Sequence, residues 1–200
     1  MKKQSGFTLV ELMVVLIIMG ILFAVAGPSL KNSIAEKQLI ASSNDLLAAL
    51  HVARSEAIKL NKRVTICESS NGTVCTTTGK WEDGWIVFTD VAGTASGAAG
   101  VCTNTTTDCL LRVHGAIVGS NLTIRGLDQD STAINSFTFT SRGVPKNTSG
   151  TGQAGVFCVS IADTSGAASS RAVALSFSGR VRISDNSSVI TSNSTVNACP

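Results

Sequence analysis

The sequence predicts an α+β protein in which one very long N-terminal α-helix, its first half transmembrane, packs on an antiparallel β-sheet. Three observations carry that prediction. Phe7 to Gly27 is a run of 21 residues whose only ionisable side chain is Glu11, long enough at 1.5 Å per residue to span a hydrocarbon core of about 30 Å. Beyond it, apolar residues recur at helical spacing as far as Leu60. From Val64 onward glycine, serine, threonine and asparagine cut the chain into short segments, the pattern of strands joined by turns. At 200 residues there is room for one ordinary domain with an extension, which excludes large multidomain enzymes.

The composition, 44% hydrophobic and 14% charged, is too apolar for a disordered chain and low in charge for a typical cytosolic protein. Lys2 and Lys3 contribute two of the net +3 charges, so the remainder is almost neutral and only local clustering of charge can argue for a partner. The expected division is a leader at 1–6, an apolar transmembrane half-helix at 7–30, and a part at 31–200 that joins the amphipathic half-helix to the sheet.

The apolar run exceeds the roughly 7 to 15 residues of a secretory signal core, and the leader lysines hold the amino terminus on the cytoplasmic side. Glu11 has two readings. It is either an interfacial acid that snorkels to water or a membrane carboxylate with a partner, since an isolated one costs about 2.5 to 3.5 kcal/mol. The string Gly6-Phe7-Thr8-Leu9-Val10-Glu11 resembles the prepilin leader junction of type IV pilins and type II secretion pseudopilins. That resemblance implies a type IV pilin-like fold, cleavage by a prepilin peptidase between Gly6 and Phe7, and N-methylation of Phe7. It also implies that Glu11 neutralises the Phe7 amino terminus of a neighbouring pilin during assembly. A buried acid and a buried amine, each costly alone, are tolerable together. Pro28 fits the same family, in which a proline follows the membrane half of the helix and bends it.

After Pro28, the positions Leu39, Leu46, Leu50, Ala53 and Ala57 recur at intervals of three, four or seven, with charged residues between them. That is an amphipathic helix to about Leu60. The stretches Ala53–Leu60, Val64–Cys67 and Trp81–Phe88 are similar to the minor pilins of the GspH/FimT family. Trp81 and Trp85, four apart around a turn, are expected to pack against the helix. His51 reads as a surface or packing residue.

Strands are expected at Val64–Cys67, Trp85–Thr89, Leu110–Val113, Asn121–Arg125, Phe137–Thr140, Val156–Ile161, Arg171–Phe177 and Arg180–Ile183. Val173, Leu175 and Phe177 alternate with small residues and predict one buried face. Val91–Thr107 and Asp185–Asn197 read as long exposed loops. The six cysteines, Cys67, Cys75, Cys102, Cys109, Cys158 and Cys199, all follow the apolar run, which points to disulfides in an oxidising periplasm. The spacings suit Cys67–Cys75 and Cys102–Cys109 as local clasps, with Cys158–Cys199 tying the carboxyl terminus, although six cysteines allow 15 pairings.

Enzymatic chemistry and cofactors find no support. Gly150-Thr-Gly-Gln-Ala-Gly155 matches the dinucleotide fingerprint, but it leads into a strand instead of opening a helix. No paired Cys-x-x-Cys supports zinc, no full loop supports calcium at Asp128 and Asp130, and no metal is expected.

One cluster does suggest a partner. Between Phe137 and Ile183, Arg142, Lys146, Arg171, Arg180 and Arg182 face a single acid, Asp163. At its centre, Ser178-Gly-Arg-Val-Arg182 places two arginines two apart, on one side of a strand and about 6.5 Å from each other, where they can grip phosphates bidentately. The Gly179-Arg180-Val181-Arg182 sequence resembles a motif associated with DNA binding in FimT-type minor pilins, which take part in DNA uptake for natural transformation. The implied partner is double-stranded DNA, held weakly through its backbone in a salt-sensitive manner. The alternatives are two arginines that merely solvate a hairpin, in a minor pilin that primes pilus assembly, or a minor pseudopilin of type II secretion. In each case the inner membrane comes first, followed by a filament.

Overall fold

The computed structural model describes residues 7–78, 80–91, 93–95, 108–117, 121–147, 149–162, 168–184, 188–191 and 194–197, without the side chains of 24–29, 168, 188–191 and 194–197. Gly6 lies outside the described residues. A single helix, α1 (Leu9–Leu60), opens the described chain. Thr8 caps it: its backbone is extended and its hydroxyl accepts the Glu11 N–H at 3.2 Å, as in the Thr-x-x-Glu arrangement of a capping box. Glu11 thereby occupies the first turn, where the helix dipole favours an anion. Asn61 closes the other end in the left-handed region at φ 51°, its N–H reaching the Ala57 and Ile58 carbonyls. Pro28 lies within this continuous element, and its side chain is outside the described residues.

The expected transmembrane half-helix at 7–30 includes residues 24–29, whose side chains are outside the described ones. Among the described residues, no helix is long and apolar enough to cross a membrane.

The strands are β1 (Val64–Glu68), β2 (Trp85–Thr89), β3 (Cys109–His114), β4 (Leu122–Asp128), β5 (Ser136–Phe139), β6 (Pro145–Lys146), β7 (Gly155–Ala162), β8 (Ala168–Leu175), β9 (Val181–Ser184), β10 (Ser188–Thr191) and β11 (Ser194–Asn197). They form a five-stranded sheet in the order β3-β2-β1-β5-β6, a four-stranded sheet in the order β4-β7-β8-β9, and a β10-β11 hairpin. All the pairings between them are antiparallel. The expected single sheet is thus divided, and the second half of α1 lies across both parts. Leu39, Leu46, Leu50, Ala53 and Ala57 are buried in one cluster with Ile66, Trp85 and Phe139 of the first sheet and Ile124, Phe157, Val173 and Leu175 of the second.

Trp81, on a short 3-10 turn at Trp81–Asp83, is fully buried. Its indole N–H donates to the Ile134 carbonyl at 3.0 Å, and it meets Phe157 edge to face at 4.7 Å. Trp85 joins the same core and stacks on His114 at 3.9 Å. His51 is exposed on α1.

Three strand expectations change. Phe177 is not the last residue of a strand: β8 stops at Leu175, and Phe177 is exposed in the following turn. Arg180 precedes β9, which starts at Val181. The segment Asp185–Asn197, expected to be a loop, contains β10 and β11, in which Val189 pairs with Val196 and Ile190 with Thr195, residue types that favour strands. Most of Val91–Thr107 lies outside the described residues.

Candidate nucleic-acid interface

In antiparallel pairs, opposed residues share a face, and this settles where the basic residues go. Val181 pairs with Leu175 and Ile183 with Val173, all toward the helix, while Arg182 pairs with Ala174 on the opposite face. Arg180 and Arg182 are exposed on either side of buried Val181. Only Arg182 belongs to the strand, so the expected placement of both arginines on one strand is not met, although both are exposed. Arg182 also has a polar or electrostatic partner of its own.

Arg171 does not join them. It pairs with Val159 and so faces the helix, where it lines a cavity of about 520 Å³ with Glu36, Leu39 and Ile161. A single strand position of the opposite parity is enough to remove it from the cluster.

Arg142 is brought in from the other sheet. It is exposed in the turn that links β5 to β6, closed by Gly143 N–H to Thr140 O at 2.8 Å. The β8–β9 turn is closed in the same way by Gly179 N–H to Ser176 O at 2.8 Å, and the Arg180 carbonyl accepts the Ser176 N–H at 3.0 Å. The two turns touch. Gly179 has φ +78°, and a Cβ there would run into the Gly143 carbonyl oxygen, so this position requires glycine for both conformation and space. Arg54 of α1 spans the contact, Nε donating to Gly143 O and Nη2 to Ser178 O, both at 3.1 Å. Arg142 and Arg180 therefore flank one junction.

Lys146 sits further along. It pairs with Thr138 on the face of the first sheet away from the helix, exposed beside a hollow of about 220 Å³ that Arg63, Thr138 and Thr140 also line. The Arg63 guanidinium is held by the Asp90 and Val91 carbonyls at 3.1 and 2.7 Å. Arg54 and Arg63 do not stand out from charge counting along the sequence. Arg54 lies 124 residues from Ser178, and no local pattern signals such an approach. Among the described residues, Arg142, Lys146 and Arg180 take part in no ion pair.

The Gly150–Gly155 string runs from a turn into β7, with Gly152 bridged to Lys146. Cys67 and Cys75 form a disulfide that joins β1 to the segment after it. Cys109 and Cys158 are each disulfide-bonded, while Cys102 and Cys199, expected to be their partners, lie outside the described residues.

A long helix with one half laid on two antiparallel sheets and the other half apolar and uncovered defines a pilin-like structural protein. A family model described as type II transport protein GspH matches residues 42–179, and one described as a prokaryotic N-terminal methylation motif matches residues 1–27. The chain belongs to the GspH/FimT family of type IV minor pilins and pseudopilins. The crystal structure of the type IV minor pilin FimU from Pseudomonas aeruginosa strain PAO1 shares its fold at a TM-score of 0.52 and 20% identity, over 74% of this chain and 90% of that one. Two fimbrial proteins of Pseudomonas aeruginosa are each 41% identical over 64 residues, which is 32% of this chain. The chain spans about two fifths of the length of those curated relatives, 41% in each case.

Proposed function

We propose that the protein is a minor pilin that enters a type IV pilus and binds the phosphate backbone of duplex DNA at the corner bearing Gly179, Arg180, Arg182 and Arg142, with Lys146 extending the surface. On this reading, a prepilin peptidase cuts between Gly6 and Phe7, Phe7 is N-methylated, and Glu11 meets the amino terminus of a neighbouring pilin. The protein passes from the inner membrane, with its sheets in the periplasm, to the pilus, where it serves DNA uptake. The observation that carries the DNA assignment is the exposure of Arg180 and Arg182 on either side of buried Val181, at a corner shared with Arg142. Guanidinium groups so presented suit phosphate oxygens. No base reading is implied, since the chain has no tyrosine and its two tryptophans are in the core.

The test is a titration of the full chain, in a neutral detergent, with duplex DNA at several salt concentrations. Binding should weaken steeply with salt, and Arg180→Ala/Arg182→Ala should reduce the slope of log affinity against log salt by about 2, roughly one for each phosphate no longer neutralised. An unchanged slope and affinity in the double variant removes the site. No binding by the parent chain at low salt favours a structural minor pilin or a type II secretion pseudopilin, a reading supported by the match to the type II transport family.

A further inference from the structure

We propose that Arg54 is a positioning residue that holds the Arg142 turn and the Arg180 turn together as one phosphate-gripping surface. The proposal rests on the DNA-binding reading and adds a residue that does not itself need to touch DNA. Each turn is closed by its own hydrogen bonds, Thr140 to Gly143 in one and Ser176 to Gly179 and Arg180 in the other. Those bonds shape the turns but do not fix the distance between them. The turns belong to different sheets, β5–β6 in one and β8–β9 in the other, and no strand pairing among the described residues joins the two sheets.

What ties the two turns by hydrogen bonds where they touch is the Arg54 guanidinium, anchored on the part of α1 that packs on both sheets. It donates at 3.1 Å to a carbonyl in each turn. The packing is close where the two turns face it. A Cβ at Gly143, where φ is +71°, would lie 2.8 Å from Ile58 Cδ1 and 3.1 Å from Arg54 Nε, and one at Gly179 would lie 3.0 Å from Arg54 Nε. The two left-handed glycines let the backbones approach the guanidinium, and the guanidinium gives two carbonyls from separate sheets one donor each. Lysine reproduces this poorly, because its three donors sit on one nitrogen and lack the planar fork whose separate nitrogens reach the two carbonyls. Arg142 precedes Gly143 and Arg180 follows Gly179, so the same clamp sets the spacing between the two cations. Cations fixed in advance do not have to be ordered when they bind.

The experiment compares the full chain in neutral detergent with Arg54→Lys, which keeps the charge and most of the stem. In Arg54→Lys, amide hydrogen exchange should accelerate in 140–144 and 176–180 while the amides around Leu46 and Leu50 stay protected. Affinity for duplex DNA should fall on the order of tenfold, the scale of coupling between contacting residues. Arg142→Ala should then cost much less in the Arg54→Lys background than in the parent, because the turns no longer act as a unit. Unchanged exchange overturns the clamp. Faster exchange with unchanged affinity, or strictly additive losses for Arg54→Lys and Arg142→Ala, overturns the positioning role. If circular dichroism shows that Arg54→Lys does not fold, Gly179→Ala, which forces the turns apart while keeping Arg54, must give the same non-additive pattern. If the parent chain binds no DNA, the functional reading fails separately, and the exchange measurement alone decides whether Arg54 couples the turns.

Discussion

The two halves of α1 are made of similar apolar residues on one continuous backbone, yet they meet opposite surroundings. Every described side chain from Leu9 to Phe23 is exposed, whereas Leu46, Leu50, Ala53 and Ala57 are completely buried. The difference lies in how the apolar residues are arranged around the helix. In the second half they form a stripe with Lys37, Asp45 and His51 kept off it, and a stripe can be covered by sheets lying on one side. In the first half they surround the axis, and no sheet on one side can cover them all. Such a helix is stable when lipid or other helices enclose it, so this chain completes one half of its helix from its own sheets and leaves the other half for its surroundings to cover.

The sharpest way to break this contrast is Leu50→Ala. Leu50 has 0% exposure in the cluster shared by both sheets, and its truncation should destabilise the fold by about 2 to 5 kcal/mol. Chemical denaturation of the full chain in neutral detergent, followed by tryptophan fluorescence, reads the loss, and a value below about 1 kcal/mol would contradict the packing. A smaller effect is expected at the far side of the same core. Trp81→Phe removes the donor to Ile134 O and leaves a buried carbonyl without its partner, at a cost of about 1 to 3 kcal/mol by circular dichroism. The smallest effect belongs to the uncovered half: Leu16→Ala should change folding stability by no more than about 0.5 kcal/mol. A loss there as large as that of Leu50→Ala would mean that the exposed half is held within the chain after all.

The stripe on α1, the two core tryptophans and most strands were legible because each leaves a local signature. Residues at helical spacing must share a face, and short β-branched runs between glycines have few alternatives. Boundaries were less legible. Phe177 continues the alternation of Val173 and Leu175 in sequence but falls in a turn, since alternation does not say where a neighbouring strand stops pairing. The β10–β11 hairpin is written in residues that also fill loops. Within the basic cluster, Arg180 and Arg182 were readable as a pair because only Val181 separates them. Arg171 was not separable from them until the register with Val159 placed it on the helix side.

By itself the sequence determined that a long helix with an apolar first half would lie on antiparallel strands, because hydrophobic period and turn residues act over a few positions and need no distant partner. Tertiary structure alone decided that the strands split into two sheets, that Arg171 turns away from Arg180, and that Arg54 joins two turns 89 and 124 residues distant. Those outcomes depend on pairing register and on which carbonyls a guanidinium meets. Both are set by how separate segments dock, and neither leaves a mark on the residues nearby in the chain.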